Sequence, residues 1–334
     1  MKRILSAACA LVLSLSVAAP AFASEPSSIT VSLSNMKSIV TRYSPQARAL
    51  DNGRDAASDA VDEAKSSGDR DALDEARYQE DQQDLSYDQG IQKLVLNAKQ
   101  LYLAYMADIG QTDVTEASLQ NDQQKLSTYQ QKLQYGYISQ RAYDDFVRSL
   151  STAENSVSTS QDSARKNLQE LRTLLGVPES TRLNMEPFSL EDLEVDSLLD
   201  INYEDDLRAA ERNNIDIELA ENELDWQEDV GTHAEEDGAE ISLRQAENAV
   251  SVQLKSLYDQ VQAAGRACQT SEDDLAVSQA DAALAQQKYE HGYLSKSGLD
   301  SAQLDVQSKQ AAASGQKAAL YSVYLDYIRL KNGY

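Results

Sequence analysis

The sequence has little proline, and keeps it at the edges. The five prolines stand at 20, 26, 45, 178 and 187, so residues 46–177 and everything after 187 are proline-free. Strand signals, meaning β-branched and aromatic residues alternating between turns, are missing as well. Two long stretches rich in Ala, Gln, Leu, Glu and Lys therefore read as long helices. Cysteine is equally scarce. Cys9 lies in the leader described below, which leaves Cys268 alone and excludes an intrachain disulfide and a thiolate metal cluster. One Trp, three Phe and 41% hydrophobic residues are too little for a fold with a large core.

Positive charge is in deficit. Without Lys2 and Arg3, 28 basic residues face 55 acidic ones, a net of −27. That balance excludes nucleic acid, whose phosphates need Lys and Arg, and disfavours anionic lipid surfaces. It leaves a well-solvated surface or a field attractive to cations. No run reaches the roughly 18 apolar residues of a membrane helix. HExxH, CxxC, a nucleotide-binding glycine loop and a nucleophile elbow are absent. Acidic residues are so widespread that no catalytic pair stands out. The chain is read as no enzyme, with no cofactor and no metal. His291 precedes a turn glycine and reads as exposed. His233 lies in THAEED beside Glu235, Glu236 and Asp237, a solvated acidic loop with a loose divalent-ion site as the alternative.

Residues 1–23 are a signal peptide: Lys2 and Arg3, an apolar and small-residue run from Ile4 to Val17, then Ala21-Phe22-Ala23. The rest is duplicated. QQKLQYGYIS at 130–139 and QQKYEHGYLS at 286–295 share six of ten residues. The same offset aligns Lys99 with Lys255, Leu101-Tyr102 with Leu257-Tyr258, and Leu119 with Leu275. Tyr143, Leu150, Val157, Ala164 and Leu171 form a heptad stripe, in phase with Leu299, Val306, Ala313, Leu320 and Tyr327. Such a stripe marks helices packed side by side at a shallow angle. Before each turn, Ile91 to Ile109 and Val250 to Val261 carry apolar residues at three-and-four spacing. Each copy is thus a helical hairpin, with Gly136 and Gly292 at helix ends.

The expected organisation is a first repeat over 24–180 with its turn at 135–139, a linker at 181–200, and a second repeat over 201–334 with its turn at 291–295. A shorter related piece, RYSPQARALDN at 42–52, matches RNNIDIELAEN at 212–222, so the first copy carries 14 extra residues before its hairpin. The segments between, 53–88 and 223–240, are acidic and read as loops; the second holds eight acidic residues and no Lys or Arg. Stretches such as 151–167, STAENSVSTSQDSARKN, cannot supply the wide apolar face of a solid bundle. A narrow seam suits a wall one helix thick, a hollow tube; a long free coiled coil is the competing reading.

These elements, in this order, resemble the outer membrane efflux protein family, the TolC-like channel subunits. The opening pattern falls on Leu33 to Pro45 and again on Tyr203 to Ile215; the tip motif Y-x-x-G-h-h-S is matched by Tyr289, Gly292, Leu294 and Ser295 in the second copy, and the first copy matches over 132–176, to the closing L-L-G at Leu174-Leu175-Gly176. The resemblance implies an all-α fold of duplicated long antiparallel hairpins. As a homotrimer it makes a twelve-helix α-barrel, a passive conduit that docks a periplasmic adaptor (a membrane fusion protein) and an inner-membrane transporter. Carried over by position, Gly136, Tyr137, Ile138 and Ser139, with Tyr289, Gly292, Tyr293, Leu294 and Ser295, become the adaptor-contacting tips. The other reading of these residues is a pair of plain helix-turn-helix corners.

Asp144, Asp145 and Asp300 fall at or near the family's pore-constricting acids. Rings of like charge there favour cations, while acids at a helix start also serve capping and dipole. One departure matters. Relatives carry a β-hairpin in each repeat that joins a transmembrane barrel, and 53–88 and 223–240 have no such alternation. The expected protein is therefore a barrel-less channel, exported into the cell envelope of a single-membrane cell and not integrated in an outer membrane. A non-channel coiled-coil scaffold of the envelope is the alternative.

Overall fold

The computed structural model describes residues 28–186 and 198–334. Residues 1–23, expected to be a signal peptide, and most of the expected linker at 181–200 lie outside the described residues. The first repeat runs β1 (Ser28–Val31), α1 (Met36–Tyr43), α2 (Pro45–Ser67), α3 (Arg70–Gln134), α4 (Gln140–Leu175) and β2 (Arg182–Met185); the second runs α5 (Tyr203–Asn213), α6 (Ile215–Val230), α7 (His233–Glu290) and α8 (Lys296–Lys331). The fold is all-α in class. Among the described residues no helix is long and apolar enough to cross a membrane.

Local chemistry sets the breaks. Pro45 has no N–H to donate and sits at the start of α2, where a helix tolerates it. At the matching break, Asn214 Oδ1 accepts from the N–H groups of Asp216 (3.0 Å) and Ile217 (3.3 Å). Each repeat closes onto its own break. Gly176, ending α4, lies against Pro45 and the Tyr43 carbonyl, and the Gly333 carbonyl after α8 accepts from Ile215 N–H at 2.8 Å.

The heptad stripe is the buried seam. Val157, Ala164 and Leu171 in α4 and Leu299, Ala313, Leu320 and Tyr327 in α8 are all buried. Two apolar clusters thicken it near the breaks. The first gathers Met36, Val40, Ala98, Tyr102, Leu171 and Leu175; the second gathers Ala210, Leu254, Val261, Cys268, Leu320 and Tyr327. Burial pushes the Cys268 thiol up, which keeps it protonated and inert. The repeats join where α3 meets α8: Ala318, Tyr321 and Leu325 pack on the first cluster, and Gln100 Nε2 donates to Asp326 Oδ2 at 2.7 Å.

Two expectations need correction. The acidic segments 53–88 and 223–240 are not loops. They are helix, interrupted only by the tight turns at 68–69 and 231–232. Pairs one turn apart support the first of them, Asp51–Arg54, Asp62–Lys65 and Asp74–Arg77. Caps complete the job: Asp69 accepts from the first turn of α3, and Thr232 and Glu235 form a capping box on α7. The 14 extra residues of the first copy divide equally. Helix α2 has 23 residues against 16 in α6, and α3 has 65 against 58 in α7. Seven residues is one heptad, so the hairpin lengthens by about 10 Å without losing its seam register.

The second correction is a pair of strands. β1 and β2 pair in parallel, Ser28 with Arg182 through Val31 with Met185. They join the entry and exit of the first repeat. Four-residue strands carry too few alternations to stand out in a sequence, and burial of Ile29 and Val31 against the first cluster holds β1 in place.

Candidate functional site

The two tips are copies in detail. Helix α3 ends in a Schellman motif: Tyr137 N–H donates to Lys132 O at 2.8 Å and Gly136 N–H to Leu133 O at 3.0 Å. Helix α7 ends the same way, Tyr293 N–H to Lys288 O at 2.7 Å and Gly292 N–H to Tyr289 O at 2.9 Å. Both motifs need a left-handed residue, and Gly136 and Gly292 each sit at φ 75°. The next helix then starts on a serine cap, with Ser139 Oγ accepting from Ala142 N–H and Ser295 Oγ from Gly298 N–H, both at 3.2 Å.

This backbone leaves the tyrosines outside. Tyr137 is 79% and Tyr293 83% exposed, while Ile138 and Leu294 turn back and are half-buried. Tyr289 is exposed at the flank of the second tip. An additional residue, Tyr135, belongs here too, 70% exposed with its ring 6.3 Å from that of Tyr137 at 49°. Its counterpart is His291, whose ring lies 6.5 Å from Tyr293 at 52°. Each tip therefore presents the same tilted aromatic pair. The alignment of Tyr135 with His291 was the only sequence signal for it. Behind the first tip Tyr129 and Phe146 stack at 3.9 Å and tie α3 to α4. The second tip has Ala285 and Ala302 at those positions.

The acids near the tips are bound within their own helices. Asp145 pairs with Arg148, Asp144 Oδ1 accepts from Gln140 Nε2 at 2.8 Å, and Asp300 pairs with Lys296. The Asp300 hydrogen bond raises the Lys296 ammonium above its usual range. None of them caps a helix; that role falls to Ser139 and Ser295, and the first turns of α4 and α8 hold no acid. His233 opens α7 rather than a loop. Its Nδ1 lies 3.0 Å from Glu236 Oε2, and Glu235 is taken up by the capping box, which holds its carboxyl below the usual range. Among the described residues no three His, Cys, Asp or Glu side chains converge as a metal site.

At the opposite end of the hairpins, α3 meets α6. The Tyr78 ring stacks on Trp226 at 5.1 Å, and its hydroxyl donates to Glu223. Burial, then that bond, pushes the Tyr78 phenol up. Beside them lies a shallow depression of about 270 Å³ bordered by Asp81 and Asp225. The Tyr78 contacts to Trp226 and Glu223 tie the two repeats together.

A repeated, antiparallel helical hairpin with breaks at its base and aromatic tips defines the class: this is the fold of outer-membrane channel subunits, the fold that the sequence resemblance to TolC-like proteins implies. The solved structures bear this out. A membrane protein from Pseudomonas aeruginosa matches with TM-score 0.62 at 13% identity, over 92% of each chain. The outer membrane protein VceC from Vibrio cholerae matches at 0.60 and 13%, over 90% of this chain and 96% of that one. The CmeC outer membrane channel of Campylobacter jejuni matches at 0.63 and 10%, over 90% and 85%. No family model matches the sequence, and no curated protein matches it.

Proposed function

We propose that the chain is a subunit of a passive export or efflux conduit. Three copies close into an α-helical tube that docks an adaptor protein by its hairpin tips and, through it, an inner-membrane transporter. The observation that carries this reading is the junction between repeats. Inside one chain, α3 of the first repeat buries a face against α8 of the second. By duplication α7 has the face that α3 uses, and α4 has the face that α8 uses. Both stand bare: Leu103 on α3 is 2% exposed where its counterpart Asp259 on α7 is exposed, and Ala318 on α8 is 5% exposed where its counterpart Asp162 on α4 is exposed. A chain with one free face of each kind associates head to tail, and such contacts form a ring when the rotation from copy to copy closes, as three copies of a curved wall would.

The likeness in fold to channels named as outer-membrane proteins supports the same reading. The site of action is the extracytoplasmic envelope. Integration in an outer membrane is not part of the proposal, because the ends where a barrel would attach are charged helices. The test is negative-stain imaging with mass measurement on the chain lacking residues 1–23. Hollow threefold cylinders are expected. Elongated monomers or dimers would overturn the conduit and favour an envelope scaffold.

A further inference from the structure

The two kinds of junction around such a ring are chemically unlike. Within the chain, α3 and α8 meet through Leu103, Ala318, Tyr321 and Leu325, buried or half-buried. Between copies, the matching positions are Asp259 on α7, and Asp162, Arg165 and Gln169 on α4, all exposed. An apolar seam has been replaced by a charged one.

The register of that second seam follows from the first. Gln100 meets Asp326 within the chain, and their duplicates are Ser256 and Glu170. The helices run antiparallel, so one turn further along α7 meets one turn earlier along α4. Lys255 beside Ser256 then faces Glu170, and Asp259 faces Lys166. In the single chain these four charges are paired within their own helices, Lys255 with Asp259 and Lys166 with Glu170 at 3.8 Å. The two ladders have opposite order and match when laid together.

Resting on the ring proposed above, we infer that the occupant of this face is a second copy of the chain, and that the seam between copies is an exchanged ion-pair cluster: Lys255 with Glu170 of the neighbouring copy, and Asp259 with its Lys166. Each pair present in the free chain is shared across the seam. The assembly is therefore sensitive to salt, because exposed pairs are screened, while the apolar α3–α8 junction keeps each chain folded when the ring opens.

Sedimentation of the chain lacking residues 1–23, with circular dichroism alongside, tests this. Raising NaCl from about 0.05 to about 0.5 M should dissociate the assembly and leave helicity unchanged. Lys166→Glu sets like charge against Asp259 and should weaken association by about tenfold or more. Lys166→Glu with Asp259→Lys places two acids opposite two lysines and should restore it. Assembly indifferent to salt and to both variants would overturn the ion-pair seam and leave the ring standing. A wild-type chain monomeric at low salt would overturn the ring and the seam together.

Discussion

The Tyr327 hydroxyl donates to Asp206 Oδ2 at 2.8 Å, and Lys331 Nζ reaches the other oxygen at 2.7 Å. By the two repeat offsets, these residues stand where the first copy has Leu171, Met36 and Leu175. The same corner of the fold is apolar and fully buried in one repeat and hydrogen-bonded in the other. Burial, then the Asp206 bond, pushes the Tyr327 phenol up. Tyr327→Phe removes one partner from a buried carboxylate and should cost about 1–3 kcal/mol in urea unfolding. Replacing all three residues by their first-repeat counterparts should cost less than that single change, because no charge is left stranded.

At the tips, backbone and side chain separate cleanly. Nothing lies within 4 Å of a Cβ placed on Gly136 or Gly292, so Gly→Ala at either site costs only left-handed strain, about 1–2 kcal/mol. Tyr137→Ser with Tyr293→Ser removes exposed rings and should move stability by no more than about 0.5 kcal/mol. The same double variant should bind the adaptor more weakly. Unchanged binding with unchanged stability would reduce both tips to corners.

Half-buried Asp326 is pushed up by desolvation, partly offset by Gln100 and Arg329. A carboxyl raised in the folded state favours folding when protonated. Its contribution is full below the ordinary carboxylate range and is lost as pH rises through the folded value. At neutral pH the charge is therefore a liability. Asp326→Asn keeps an acceptor for Gln100 and should raise the melting temperature at pH 7. The advantage should vanish near pH 4, and thermal scans at the two values check it.

Much of this fold was legible because its forces are local or periodic. Heptad spacing places Leu171 and Tyr327 each in the seam of its own hairpin, and Gly136 and Gly292 fall at helix ends because few other residues accept a positive φ. The acidic hairpin ends read as loops for a physical reason. Asp59, Asp62, Asp74 and Asp81 are poor interior helix formers, and what keeps those segments helical is pairing, capping and stacking of Tyr78 on a ring 148 residues away, Trp226. The strands, the Asp206–Tyr327–Lys331 cluster and exposed Tyr135 depend on tertiary neighbours that no single-chain pattern announces.

The two repeat breaks give the last prediction. Ser44 and Asn214 occupy equivalent N-cap positions and both are buried. Asn214 Oδ1 serves two backbone donors, although its Nδ2 is unpaired, whereas the Ser44 hydroxyl makes no cap bond and has no hydrogen-bond partner among the described residues. Ser44 is followed by Pro45, which has no N–H, so less of the first turn needs a cap. A buried hydroxyl without a partner carries its desolvation cost uncompensated. Asn214→Ala should therefore lose about 0.5–2 kcal/mol, the usual worth of a cap. Ser44→Ala, nominally the same loss, should be neutral or stabilising. Urea unfolding of the two variants decides it. Equal destabilisation would mean that Ser44 holds its helix start through a contact as strong as that of Asn214.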